Sequence, residues 1–152
     1  MVEEGDSVPK FTINDSNGNK VKSTDFKGKK HVIYFYPKDF TPGCSTQADE
    51  FSTEYKKFQN KEIEIIGISP DDVNSHKKFC VKMGIRYVLL SDIEKEVSKA
   101  FGVWGMKKFM GREYMGVTRS SFLVNEKGKI FKIYPKVKPA GHAKQVLEDF
   151  KK

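Results

Sequence analysis

"YFYPKDFTPGCSTQADEF", residues Tyr34 to Phe51, joins two kinds of sequence through one Pro-Gly turn. Its first residues belong to HVIYFYP (31–37), an unbroken apolar run closed by Pro37, the pattern of a central strand buried on both faces. Beyond Cys44, STQADEFSTEYKKF sets Ala48, Phe51, Tyr55 and Phe58 at helical spacing. Working outward, the alternation repeats. IEIIGIS (63–69) reads as a second buried strand, and DVNSHKKFCVKMG (72–84) as a helix capped by Ser69, Asp71 or Asp72, with Val73, His76, Lys77 and Cys80 three and four apart and Gly84 at its end. A strand YVLLS, a helix EKEVSKAF, a hairpin SFLVNEKGKIFKIY turning at Lys127-Gly128 and a helix GHAKQVLEDFKK follow. Ahead of them, FTINDSNGNKVKSTDF turns at Asn17-Gly18 as an N-terminal β-hairpin. The order predicts an α/β fold with a central mixed β-sheet flanked by helices, and a length of 152 residues fits one domain over 1–152.

Composition narrows the function classes. Hydrophobic content of 38% beside 32% charged residues describes a soluble globular chain, with twelve Phe to fill its core. No run approaches the roughly 20 apolar residues a membrane helix needs, and MVEEGDSVPK lacks signal-peptide character, so a cytoplasmic location without membrane contact is expected. The net charge of +8 is scattered: Lys27, Lys29 and Lys30 form one cluster, Lys107, Lys108 and Arg112 another, and the rest trail along the end. No helix carries a basic stripe and no nucleic-acid motif is present, so a solvated lysine surface is expected rather than a specific nucleic-acid face. Two cysteines are too few to staple a secreted scaffold, which directs attention to redox or nucleophilic chemistry. Neither they nor His31, His76 and His142 show paired metal-ligand spacing, and no C-x-x-C exists, so neither a metal nor a thioredoxin-type exchanger is expected.

Cys44 falls in the first turn of a helix that follows a central strand, where unpaired backbone N–H groups and the helix dipole stabilise a thiolate. The residues alone leave two readings open, a primed nucleophile or a small buried hydrophobe.

Pro37, Thr41 and Cys44, in the pattern P-x-x-x-T-x-x-C after an aromatic strand, resemble the peroxiredoxin active-site motif, and YFYPKDFTPGC resembles its bacterioferritin-comigratory, or Q-type, branch. YMGVTRSSFLVNEKGKI, with Arg119, and GHAKQVLE resemble the same branch, and the likeness runs from GDSVPKFTI to the last helix. The resemblance implies a thioredoxin-like fold and a peroxidase that reduces hydrogen peroxide and organic hydroperoxides without a cofactor, recycled by thioredoxin or a related dithiol. It implies Cys44 as peroxidatic nucleophile and Pro37 as its shield from water. Thr41 and the amides around Gly43 and Cys44 would orient the peroxide, and Arg119 would supply positive charge to thiolate and transition state. Singly, Thr41 could cap the helix, Pro37 end the strand and Arg119 pair at the surface.

Some positions depart from the pattern. Many members of the branch carry a resolving cysteine five residues after the first, where this chain has Asp49. Cys80, on the next predicted helix, resembles the resolving cysteine of the other subgroup, with an intramolecular bridge, although a helix-face cysteine packed near Phe79 and Met83 fits the same spacing. A disulfide needs Cα atoms within roughly 7 Å, so resolution is expected to loosen residues 40–50 and 72–84, and an intramolecular bridge would let a monomer suffice. Phe40 is expected to add apolar surface at the pocket mouth, and Gln47 to hydrogen-bond Arg119 without offering opposite charge. Trp104 and the segment Met106 to Met115 are expected to pack, with pocket lining as the alternative. Three other readings stand beside the two-cysteine peroxidase: a one-cysteine peroxidase using an external thiol, a redox-sensing or holdase protein, and a basic binding module with an inert cysteine.

Overall fold

The structure, a computed structural model, describes residues 2–151. It opens with the expected hairpin, β1 (Thr12–Asp15) and β2 (Lys20–Lys22), whose turn is held by Asp15 Oδ1 accepting from the amides of Asn17 and Asn19 at 2.9 Å each. A 3-10 turn (Ser23–Phe26) leads into β3 (Lys30–Phe35), α1 (Pro42–Thr53), α2 (Tyr55–Asn60) and β4 (Ile63–Ser69). Next come α3 (Val73–Met83), β5 (Val88–Ser91), α4 (Glu96–Phe101) and a ribbon of β6 (Trp104–Phe109) and β7 (Arg112–Val117). The chain ends through β8 (Ser120–Val124), β9 (Ile130–Tyr134) and α5 (His142–Phe150).

Seven strands form one sheet in the order β2-β1-β5-β4-β3-β8-β9. β3, β4 and β5 run parallel, as crossover helices require, while β8 lies antiparallel to β3, which makes the sheet mixed. Alternation along β3 explains its apolar run: Val32 and Tyr34, with Tyr36 just beyond the strand, enter a cluster beneath α1, α2, α3 and α5, and Ile33 and Phe35 enter a second cluster beneath the 3-10 turn and α4. Both faces are therefore covered. The first cluster stacks Tyr34 on Phe51 at 4.7 Å between ring centroids and buries Phe58 and Phe79 completely. Each such ring contributes on the order of 2–3 kcal/mol of burial free energy.

Three details differ from expectation. The helix after Cys44 is interrupted at Glu54, so Tyr55 and Phe58 belong to α2, although Ala48, Phe51 and Phe58 are all buried as the spacing predicts. In α3 both ends are as expected, with Asp72 capping by accepting from Ser75 N–H at 2.8 Å and the C-terminus turning at Gly84 with φ 65°. Phe79 rather than Lys77 takes the inward position there, because Phe79 and the half-buried Cys80 and Met83 pack on the first cluster beside the buried His76, and the Lys77 ammonium stays in water. Finally, Met106 to Met115 does not pack: the ribbon leaves Met106, Phe109, Met110 and Met115 exposed, while Trp104 and Val117 at its base meet the second cluster.

Candidate active site

The sheet's geometry sets the first half of the site. β3 ends at Phe35, Pro37 is half-buried just after it, and the loop to α1 contains Asp39, Phe40 and Thr41. Pro42 occupies the first helical position of α1, where a missing N–H costs nothing. The first intrahelical bond joins Ser45 N–H to Thr41 O at 2.8 Å, so the amides of Gly43 and Cys44 precede it and keep their donors for something else. Thr41 stands at the N-cap yet makes no side-chain cap bond; its hydroxyl donates to Lys38 O at 2.8 Å, which leaves the oxygen's lone pairs to accept. Cys44 is 2% exposed and free.

Arg119 arrives from the neighbouring strand, in the turn between β7 and β8, directly before Ser120, which pairs with Phe35 at the end of β3. Its Nη2 donates toward Cys44 Sγ at 3.4 Å, and its Nη1 donates to Gln47 Oε1 at 2.8 Å. A neutral partner orients the guanidinium without neutralising it, so its charge stays directed at the sulfur. Gly43 makes this approach possible, since a Cβ there would lie 2.9 Å from Nη2. The backbone of Arg119 is fixed as well: its carbonyl accepts from Val137 N–H at 2.8 Å, in the loop whose Pro139 flanks Gly43. Lys107 Nζ donates to Val117 O at 3.0 Å. Burial pushes this ammonium below its ordinary range and the charge of Arg119 pushes it further, while Cys44 acts in the opposite sense. A buried sulfur thus faces a cationic side, a helix N-terminus with two unpaired amides, and a hydroxyl oxygen. That arrangement can hold a small polar molecule in line with the sulfur and place positive charge beside it.

Two predicted residues lie off this centre. The Phe40 ring turns onto α3, edge-on to Phe79 at 5.1 Å, with Lys82 Nζ 5.7 Å above it. Cys80, half-buried on α3, packs on the same cluster as Cys44 without bonding to it. Burial raises its thiol above the ordinary range, a Ser16 hydrogen bond opposes that rise, and the charges of Asp39 and Asp15 add to it.

Sequence reasoning missed one group altogether. Asp39, Asp71 and His76 bring ligand-type atoms within 4.8 Å of one another, although no His pairing is visible in the chain. Every one of these side chains is committed to hydrogen bonds: Asp39 accepts from Tyr36 and Ser75, Asp71 accepts from Ser69 and the Asp39 amide, and both His76 nitrogens are engaged. The only local signal was an acid two residues before Thr41.

Comparison with known proteins agrees with this geometry. Residues 4–133 match the AhpC/TSA family. The chain is 41% identical to Peroxiredoxin Bcp of Bacillus subtilis over 99% of this chain and 96% of that protein, and 38% identical to Peroxiredoxin Bcp of Escherichia coli over 96% and 94%. A cysteine-to-serine mutant of Xylella fastidiosa PrxQ superposes with a TM-score of 0.94 at 33% identity, covering 99% of this chain and 96% of that one. The bacterioferritin comigratory protein of Xanthomonas campestris, studied for alkyl peroxide reduction, superposes with a TM-score of 0.88 at 36% identity over 93% and 90%. The sheet order, the helix-borne cysteine beside an arginine and these likenesses agree: the chain has the thioredoxin-like fold and belongs to the AhpC/TSA family, in its bacterioferritin-comigratory (Q-type) branch of peroxiredoxins, the thiol-dependent peroxidases.

Proposed function

We propose that Cys44 is the peroxidatic nucleophile of a two-cysteine peroxidase acting on hydrogen peroxide and organic hydroperoxides. The thiolate attacks one peroxide oxygen, the O–O bond breaks, and water or an alcohol leaves once protonated, with Cys44 as sulfenic acid. The observation that carries this reading is the 3.4 Å approach of Arg119 Nη2 to Cys44 Sγ at the open end of α1. There the guanidinium stabilises first the thiolate and then the charge growing on the departing oxygen. Thr41, its hydrogen already given to Lys38, accepts from the peroxide O–H, and the Gly43 and Cys44 amides donate to it. Pro37 limits water at the sulfur. Organic hydroperoxides are included because alkyl peroxide reduction is the activity named for the Xanthomonas relative.

Cys80 then resolves the sulfenic acid as an intramolecular disulfide, which thioredoxin or a related dithiol reduces. Its place on the Cys44 cluster supports this, as does the absence of a thiol at Asp49. Resolution within one chain lets a monomer suffice, and one sheet running from the first hairpin to β9 supports a single domain over 1–152. A cytoplasmic site of action, without membrane or specific nucleic-acid partner, is part of the proposal; no helix among the described residues is long and apolar enough to cross a membrane. The reaction as written needs no metal or other cofactor.

Intact mass and thiol count after one equivalent of hydrogen peroxide, without reductant, test the reading. Wild type should lose both thiols and about two hydrogens as a monomer, and Cys80→Ser should stop at Cys44 sulfenic acid. If both stop there, the protein uses one cysteine and an external thiol; peroxide consumption that survives Cys44→Ser would overturn the mechanism.

A further inference from the structure

The peroxide chemistry itself has no use for a buried acid two residues from Thr41, yet Asp39 is 3% exposed and tied on every side. Its Oδ1 accepts from Tyr36 Oη at 2.7 Å. Its Oδ2 accepts from Ser75 Oγ at 2.9 Å and meets His76 Nδ1 at 2.7 Å, while its own N–H donates to Asp71 Oδ2 at 2.8 Å. Asp71 also accepts from Ser69 Oγ at 2.6 Å, at the end of β4. On the far side of the imidazole, His76 Nε2 lies 2.9 Å from Leu90 O in β5. A carbonyl only accepts, so Nε2 carries a proton, and Nδ1 must share a second one with Asp39. The pair is thus held closed by a shared proton and, at the same buried carboxylate, by the hydroxyls of Tyr36 and Ser75.

The topology of these bonds is what matters. Asp39 belongs to the loop that carries Phe40 and Thr41 into α1, whereas Ser75 and His76 belong to α3, and His76 precedes Cys80 by one helical turn. A second contact parallels the first: Phe40, held at φ 67°, a backbone conformation disfavoured for a side chain with a Cβ, presses its ring on Phe79 of the same helix.

We propose that Asp39 and His76 are positioning residues that form a latch between the peroxide-binding loop and the helix of the resolving thiol. Closed, the latch holds Thr41 and the first turn of α1 in register for peroxide attack and keeps α3 docked. Open, it frees the loop and α3 together, so that Cys80 reaches Cys44. The step then balances: the Cys80 sulfur bonds to the Cys44 sulfur, the Cys44 S–O bond breaks, and the hydroxyl leaves as water with the proton of Cys80. The release half of the proposal rests on the reading of Cys80 as resolving thiol.

The test separates two rates in Asp39→Asn and His76→Gln by rapid quench, alkylation and intact mass. Sulfenic acid formation, read in the Cys80→Ser background, should slow about tenfold, and conversion of sulfenic acid to disulfide, read with Cys80 present, should quicken severalfold. Opposite changes in successive steps are not what general destabilisation gives; Phe101→Leu, in the cluster on the far face of the sheet, should leave the conversion rate at the wild-type value. Hydrogen exchange supplies a second readout in the reduced protein, where segments 37–44 and 73–83 should open together in the latch variants. Should Asp39→Asn fail to fold, Ser75→Ala removes one hydroxyl from the same carboxylate and should shift both rates in the same directions. Conversion at the wild-type rate with unchanged exchange overturns the latch. A wild type that never forms the disulfide overturns the resolving role of Cys80 and the release half with it, while coupled exchange in the variants would still support the closed half.

Discussion

A methyl group at position 43 would come 2.9 Å from Arg119 Nη2 and 3.4 Å from Pro139 Cγ. The end of an arginine usually swings away, but this one is held at Nη1 by Gln47 and at Nη2 by the sulfur. Gly43→Ala must therefore break the approach that directs positive charge at Cys44. A charge-assisted hydrogen bond is worth roughly 1.5–3 kcal/mol, so the second-order rate constant with hydrogen peroxide should fall about tenfold or more. The same substitution should leave Tm unchanged or raise it slightly, because alanine is the better helix residue by about 0.5–1 kcal/mol. Stopped-flow peroxide consumption beside a thermal melt checks both signs; activity and stability falling together would show that the lesion is to the fold rather than to Arg119. At this scale, legibility followed distance along the chain. Pro37, Thr41 and Cys44 lie within eight consecutive residues, and the chemistry of a helix N-terminus can be read there directly. Arg119 stands 75 residues from Cys44 and was reachable only through family resemblance. Asp39 and His76 lie 37 apart, one in a loop and one on a helix face, and nothing local marks two such residues as partners.

Helix α3 is legible as a helix and hidden as a device. Its cap, its glycine terminus and its apolar face all follow from spacing, whereas its attachment to the loop through Ser75 and His76 depends on a carboxylate brought by another strand's end. The β6–β7 ribbon failed differently: Met and aromatic residues read as core, but a two-stranded ribbon outside the main sheet has no layer to cover it. Docked on α3, Cys80 is half-buried, and burial holds its thiol above the ordinary range, so in the reduced protein it should behave as a poor nucleophile. Carbamidomethylation by iodoacetamide near pH 7.5 should modify Cys80 about tenfold more slowly than the same cysteine in denatured protein, as read by peptide mass spectrometry. Equal rates would mean that α3 is already released before peroxide arrives, and the need for an opening step would vanish.

Over the whole molecule, the three histidines pull stability in opposite directions with pH. Burial opposes a charge on His76, but the hydrogen bond and charge of Asp39, together with Leu90 O and Asp71, outweigh it and raise its pKa. Burial lowers His31 against its bond to Lys29 O, and lowers His142, where Gln145 opposes the shift and the charge of Arg119 adds to it. The signs follow from proton binding. A raised pKa means that the folded state binds the proton more tightly, so the His76 contribution is complete below the unfolded value of about 6.5 and is lost as pH rises through the higher folded value. For His31 and His142 the contribution is complete above about 6.5 and is lost as pH falls through their lower folded values. Urea unfolding of reduced wild type between pH 5 and 9 should therefore show a maximum near neutrality as far as these groups decide it, each proton changing the slope by at most about 1.4 kcal/mol per pH unit. His76→Gln should flatten the alkaline limb and His142→Gln the acid limb. The geometry fixes why they differ: His76 has acceptors at both nitrogens and needs two protons, while His142 faces Ser121 Oγ through Nε2 and Gln145 Oε1 through Nδ1 and is satisfied with one. If His76→Gln leaves the alkaline limb as steep as in wild type, then His76 carries no extra proton in the folded state, and the link between α3 and the loop does not change in strength with pH over that range.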